Sequence, residues 1–316
     1  MAISREHILA LLAQNLENRG SVMPVRQKLL TRWADGLGLP KGGKTILYTG
    51  HMYQIMPFIR AMAAKNKKMD GSWLEKYAGF ATVVNRIVNI VNLLSMGASS
   101  EDIQFYNDIL KNIVTILGRH GIKPGYLYED ELYAGALAYD LGLDSVFERH
   151  ARAVHDLLRR CGAELIITVD PHTTQMFRLV YPEVLDNFDI KVKSYLEVLA
   201  GSEREIKGEE PERSIVVHDS CVYSRYLDMV DEPRRLLAGK GFKIVEPLFS
   251  GRLTHCCGGP VESLFPEKAR EIAEKRLESL PEGTKDVATM CPICLFNLKE
   301  AAEERVHTAD IASYLL

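Results

Sequence analysis

The chain has 316 residues, 47% apolar and 26% charged, with a net charge of −3. That length and balance describe a globular protein whose core is large enough to fold without disulfide staples, and exclude a disordered one. With 39 basic against 42 acidic side chains there is no basic field, so nucleic acid is not an expected partner.

The N-terminus, Met1 to His7, is polar and charged, with no apolar signal core behind it. The best apolar candidate, Ile87 to Met96, is interrupted by Asn89 and Asn92. No membrane span is expected, and the expected location is the cytoplasm, with the membrane face reached only through a partner. Residues 5 to 17 carry Ile8, Leu9, Leu12 and Leu16 on one helical stripe. A Gly/Pro/Lys-rich stretch, Gly36 to Gly43, ends this N-terminal arm, taken as residues 1–43. Thr45 to Thr49 reads as a strand, residues 53 to 119 as helical throughout, and Tyr126 to Tyr128 as a second β-type run. A helix from Ser145 to Arg160, a strand from Glu164 to Val169 and a helix opened by Pro171 follow.

Residues 202–213 are charged and apolar-poor and read as a linker. Behind them Ser214 to His218 is a strand, Glu232 to Ala238 a helix, and Phe242 to Val245 a strand. Pro266 to Leu280 is a charged helix, Asp286 to Thr289 a strand, and Pro292 opens a helix. Strands alternating with helices imply an α/β fold with mostly parallel sheets. Two pseudo-repeated lobes are expected, at 44–201 and 214–316, with a helical insertion in the first at about 54–120.

The repeat is visible in three blocks. Lys44 to Tyr53 aligns with Ser214 to Tyr223, Leu132 to Gly135 with His255 to Gly258, and Ile167 to Thr173 with Ala288 to Cys294. The offsets are 170, 123 and 121, and the difference is the insertion. Only the second copy has thiols at these positions. Where it has Cys221, Cys256, Cys257, Cys291 and Cys294, the first has His51, Tyr133, Ala134, Asp170 and Thr173.

Those five cysteines lie within 74 residues, and only Cys161 lies elsewhere. Adjacent Cys256 and Cys257 are poorly placed to form a bridge with each other. Cys291-Pro-Ile-Cys294 is a C-x-x-C, which curls two thiolates toward one metal. Its proline also suits a thioredoxin-type motif, but its place near the C-terminus does not. Clustered thiolates select zinc, copper(I) or an iron–sulfur cluster. Zinc takes four ligands, so five would leave one over.

Cys221-x34-Cys256-Cys257-x33-Cys291-x2-Cys294, with Gly258 and Gly259 behind the pair, resembles the cysteine-rich CCG domain of heterodisulfide reductase B and D subunits and their relatives. His218-Asp219-Ser220-Cys221 resembles that family's H-D-P-C, Met290 to Leu295 its C-P-x-C helix start, and Thr308 to Leu315 its closing helix. The resemblance implies an oxidoreductase subunit. It would pass electrons through one [4Fe-4S]-type cluster, cubane or non-cubane, held by Cys221, Cys256, Cys257, Cys291 and Cys294, to a thiol/disulfide or related acceptor. It also implies a ferredoxin-like iron–sulfur or flavin subunit as partner. Two-cluster cleavage is not expected, because the first copy has no cysteine at any matching position. The alternative is a zinc-binding or assembly subunit of a respiratory complex.

Other residues carry weaker signals. Gly38 to Thr45 matches a P-loop pattern, but the strand follows instead of preceding it, so it reads as a turn. His51, Asp170, His172 and Cys161 are open to a site in the first lobe at the positions of the lost ligands, but local packing is the favoured reading, with Cys161 a buried structural thiol. His218 and His255 are open between donors to a cluster sulfur, or proton sources for a thiolate product, and, respectively, a strand end and a solvent-facing side chain. The charged helix Lys268 to Glu278 reads as a solvated face.

Overall fold

The computed structural model describes residues 5–23, 25–68, 97–204, 213–259 and 265–316. The chain folds into two compact units that interleave in sequence. One is Met1–Lys111, Pro124–Ile166 and Met176–Val192; the other is Asn112–Lys123, Ile167–Gln175 and Lys193–Leu316. Most of the expected linker, at 205–212, lies outside the described residues.

The first sheet has three strands in the order β1 (Thr45–Tyr48), β2 (Leu165–Thr168), β3 (Lys191–Ser194). On the other side of β1, Gly125 bridges Ile46 in parallel. The second sheet has the order β5 (Lys243–Ile244), β4 (Ser214–Val217), β6 (Asp286–Thr289), β7 (His307–Asp310), and every pairing in it is parallel. Reading Gly125 as the counterpart of β5, the two sheets share one order, in which the second element lies on one side of the first and the later ones on the other. The sequence repeat is therefore a repeat of topology. It has a fourth block, which the three sequence blocks do not include: β3 and β7 each end on a helix cap. Ser194 Oγ accepts from Leu196 N–H, and Asp310 Oδ1 from Ala312 N–H.

Helices surround both sheets. Among the described residues these include α1 (Arg5–Arg19), α2 (Gln27–Thr31), α3 (Met52–Lys68), α4 (Ser100–Arg119), α5 (Ala136–Asp140), α6 (Asp144–Arg160), α7 (Pro171–Gln175), α8 (Tyr181–Val184), α9 (Tyr195–Ala200), α10 (Asp231–Gly239), α11 (Pro266–Glu278), α12 (Pro292–Ala302) and α13 (Ile311–Leu315). Helices α3 and α4 fall in the expected insertion, and residues 69–96 between them lie outside the described residues. None of the helices among the described residues is long and apolar enough to cross a membrane.

The strands are short, and the central ones are almost wholly buried: Ile215, Val216 and Val217 of β4 and all of β6 are inside. That is the pattern of parallel strands covered on both faces. Three expectations need correction. Tyr126–Tyr128 is not a strand: after the bridges at Gly125 and Tyr126 the chain turns into a 3-10 segment, Tyr128–Asp130. Thr308 to Leu315 is not one helix, because its first part pairs with β6 and only Ile311–Leu315 is helical. Cys161 is half-buried, its thiol donating to the Leu158 carbonyl at 3.1 Å.

Gly135 and Gly258 occupy equivalent places in the two copies, with φ of 90° and 89°. Side chains rarely adopt that backbone. At Gly258 a Cβ would also lie 2.3 Å from the Ala269 carbonyl oxygen. Gly283 has φ +78° but open space around it. Urea unfolding of Gly258→Ala should show a loss of at least ~2 kcal/mol, and of Gly283→Ala about 1 kcal/mol. Equal losses would mean that the turn at Gly258 relaxes around a side chain.

Candidate metal centre

All five clustered cysteines lie on connections that leave the carboxyl ends of strands in the second unit. Strand β4 runs through His218-Asp219-Ser220 into Cys221, which opens a π-type turn, Val222–Tyr226. Strand β6 runs through Met290 into Cys291, the N-cap of α12, with Pro292 at its first helical position and Cys294 in its first turn. Strands β4 and β6 are neighbours, and β5 lies on the other side of β4. The connections from β4 and β6 therefore leave in opposite directions, which opens a crevice at their carboxyl ends. Cys256 and Cys257 come from the loop behind the 3-10 turn Gly251–Leu253.

The thiols form one connected series. Cys221 contacts Cys256, Cys256 contacts Cys257, Cys257 contacts Cys294, and Cys294 contacts Cys291. All are free; Cys257, Cys291 and Cys294 are buried, and Cys221 and Cys256 are half-buried. The series thus has a dry end against α12 and an end that reaches water.

Charge is distributed unevenly along it. Hydrogen bonds from the Cys221 and Cys257 thiols hold Cys256 down, at about 2, helped by the Gly258 N–H at 3.3 Å from its sulfur. Burial opposes charge on Cys291, but the hydrogen bonds of Cys294 and His172 outweigh it and lower that thiol too. Cys221 is pushed up by its bond to Cys256, then by burial. Cys257 and Cys294, which lie between those two thiols in the series, are both pushed up, each first by its hydrogen bond to a neighbouring thiol. The two thiols that favour charge are thus kept apart, as like charges packed together require.

The donor set fits a thiophilic metal group. Each of the five sulfurs touches the next in the series, and Gly258 supplies an N–H to one of them. At Gly259 a Cβ would stand 3.5 Å from Cys257 Sγ and 2.7 Å from Ile293 Cγ2, so only glycine leaves that approach open. One ring nitrogen of His218 and the sulfurs of Cys257 and Cys294 lie within 4.8 Å of one another.

The histidines sort themselves. His218 is 1% exposed, held by burial and then by the Arg276 cation at about 3, and faces the sulfurs. His255 stacks on Phe249, ring centroids 4.0 Å apart. His172, expected to pack locally, comes from α7 and brings Nδ1 to 4.0 Å from Cys291 Sγ. Asp170 aims that helix: its Oδ1 accepts the N–H groups of His172 and Thr173, each at 3.0 Å. The first copy's third block thus keeps a place beside the thiols.

The charged helix α11 is also corrected. Its outer face is solvated, but Arg276 shares a buried stripe with Ala269 and Ala273. The signal was present, since 269, 273 and 276 follow helical spacing, but a guanidinium in an Ala stripe reads from sequence as snorkelling to water.

In the first unit His51, counterpart of Cys221, lies among polar groups. It is fully buried with φ +58°, and both ring nitrogens lack a hydrogen-bond partner. Glu131 Oε2 is 3.6 Å from its Nε2. Glu131 accepts from Thr49 N–H at 2.5 Å, Thr49 Oγ1 at 2.7 Å and Gly50 N–H at 3.1 Å. No third metal-ligating group joins them within reach among the described residues.

The amino-acid sequence at residues 215–299 matches the model of the CCG cysteine-rich domain. An EtfAB:quinone oxidoreductase of Syntrophomonas wolfei is 25% identical over 228 residues, 66% of this chain and 32% of that protein. A probable iron–sulfur-binding oxidoreductase, FadF of Bacillus subtilis, is 28% identical over 212 residues, 63% of this chain and 30% of its own. Lactate utilization protein A 1 of Bacillus mycoides is 24% identical over 227 residues, 66% and 88% respectively. The chain thus spans about a third of the length of the first two relatives.

Burial raises the Glu131 carboxyl to about 7, from an ordinary 4.5. Folding therefore takes up a proton between those values, and this contribution to stability is lost as pH rises through 7. Relative to Glu131→Gln, the wild type should lose about 2 kcal/mol between pH 5 and pH 8 in urea unfolding, at 1.36 kcal/mol per pKa unit. A gap independent of pH would show that the buried carboxyl stays ionised.

Proposed function

From the premise that residues 215–299 are a CCG cysteine-rich domain, we propose that the chain is the iron–sulfur subunit of an oxidoreductase complex. One [4Fe-4S]-type cluster would be held by Cys221, Cys256, Cys257, Cys291 and Cys294. The observation that carries this reading is the connected series of five free thiols at the carboxyl ends of β4 and β6. When bound, such a cluster supplies one-electron transfer.

The chain's own groups prepare the site. The N-terminus of α12 favours thiolate at its N-cap, Cys291, which Cys294 and His172 also hold down. Gly258 N–H holds the Cys256 sulfur as an anion. The buried end excludes water, while Cys221 and Cys256 face the half-open side. An acceptor or a partner's redox centre would exchange electrons on that side. For a disulfide acceptor, two electrons and two protons yield two thiols, so a one-electron carrier must deliver twice. The names of the relatives, which include an iron–sulfur-binding oxidoreductase and a quinone oxidoreductase, support a role in a multi-subunit redox complex. A flavin or ferredoxin-like iron–sulfur subunit would supply the electrons.

Protein purified without oxygen should contain close to four iron and four acid-labile sulfide per chain, on the stoichiometry of such a cluster. Its EPR spectrum should change on oxidation. Cys257→Ser should alter that spectrum, because Cys257 joins the two halves of the series. One zinc and no sulfide would replace this reading with a structural metal site, and an unchanged spectrum in Cys257→Ser would remove the fifth ligand.

A further inference from the structure

Arg276 is 1% exposed, yet among the described residues it makes no ion pair. Its Nε donates to His218 Nδ1 at 3.1 Å. Its Nη1 donates to the Phe249 carbonyl at 2.9 Å and to Ser279 Oγ at 3.4 Å. Its Nη2 has no hydrogen-bond partner. These partners are all neutral. Asp219 is already committed, since both its oxygens bind Arg234, at 2.7 and 2.9 Å. Arg234 in turn binds Glu246 at 2.6 Å.

A guanidinium stays charged at any pH a folded protein meets, and a buried charge without an opposite one is strongly destabilising. Something anionic must therefore lie near. Arg276 feels Asp219 first, but that carboxylate is shared with Arg234 and the Gly251 N–H. The next group it feels is Cys294, and a His218 ring nitrogen lies within 4.8 Å of the Cys257 and Cys294 sulfurs. The hydrogen bond also fixes the histidine. Because Nδ1 accepts from Arg276, the ring proton sits on Nε2, and that nitrogen is a donor. His218 then carries its proton on Nε2, with no lone pair left for a metal.

We infer that Arg276 is the buried counter-ion of the metal–thiolate centre, acting through His218 as a positioning residue that sets the centre's reduction potential. The inference rests on the reading that the five cysteines hold a metal. Adding an electron makes an anionic centre more negative, so a fixed cation beside it favours the reduced form. Removing the cation lowers the potential. A residue with a purely structural part would not act in that direction, nor would its effect be restored by another cation.

The test uses the full chain isolated without oxygen, with Arg276→Gln, Arg276→Met and Arg276→Lys. Methionine fills similar space without charge, and so covers failure of the glutamine variant to fold. Iron and sulfide are counted and the potential is measured by spectroscopic redox titration. With iron content unchanged, Arg276→Gln or Arg276→Met should reduce the one-electron equilibrium constant at least tenfold, a fall of about 59 mV. Arg276→Lys should recover most of it. An unchanged potential in the neutral variants, with the cluster in place, overturns the counter-ion and leaves the iron–sulfur reading standing. Wild-type protein with zinc alone removes that reading but not the counter-ion, which then shows as at least tenfold weaker zinc retention in Arg276→Met. Equal zinc retention overturns it. Wild-type protein with neither metal overturns both.

Discussion

The site depends on one topological constraint: β4 sits between β5 and β6 in a parallel sheet, so the connections from β4 and β6 leave in opposite directions. A crevice opens where they diverge, outside the carboxyl ends of the strands. Cys221 and Cys291 stand there because each follows its strand within a few residues. The helix opened by Pro292 then adds Cys294, and the tight turn at Gly258 folds the adjacent cysteines back toward the other three. No single segment could gather five sulfurs, but two strand ends and one glycine turn can.

Once gathered, the thiols impose an electrostatic condition on their surroundings. Several thiolates cannot coexist in a dry pocket without positive charge nearby. Keeping the two charge-favouring thiols, Cys256 and Cys291, apart in the series is the response of the sulfurs alone. The donors around them are the response of the protein: the Gly258 N–H, the α12 N-terminus, His218 backed by Arg276, and His172 aimed by Asp170. The outer layer is thus built mainly from groups that donate or carry positive charge, as an anionic centre requires.

The first copy shows what remains when the thiols are lost. His51 and Glu131 fill the corresponding interior with polar groups held by the amides of Thr49 and Gly50. The two copies retain the same sheet order and the same left-handed glycine, Gly135 and Gly258. Backbone geometry is thus kept where side-chain chemistry diverged, because a strand-to-helix turn needs its glycine whatever the loop carries.

Much of this was legible in the residues themselves. Strand and helix runs followed hydrophobic period, the repeat followed matching blocks, and the five sulfurs followed their spacing, because each is a local pattern or a count. The short polar strand Lys191–Ser194 was not legible: its exposed lysines make no alternating apolar pattern, and only pairing with β2 makes it a strand. Thr308 to Asp310 likewise becomes a strand only beside β6. The roles of His172 and Arg276 were hidden for a related reason. One lies 119 residues before the cysteine it meets, and the other sits in a helix whose charges suggest water. The amino-acid sequence by itself determined the α/β class, the doubled plan and the thiol set, since these rest on composition, period and spacing. The tertiary structure alone decided which distant polar groups stand around the sulfurs, because burial and proximity depend on how the strands are ordered in the sheet.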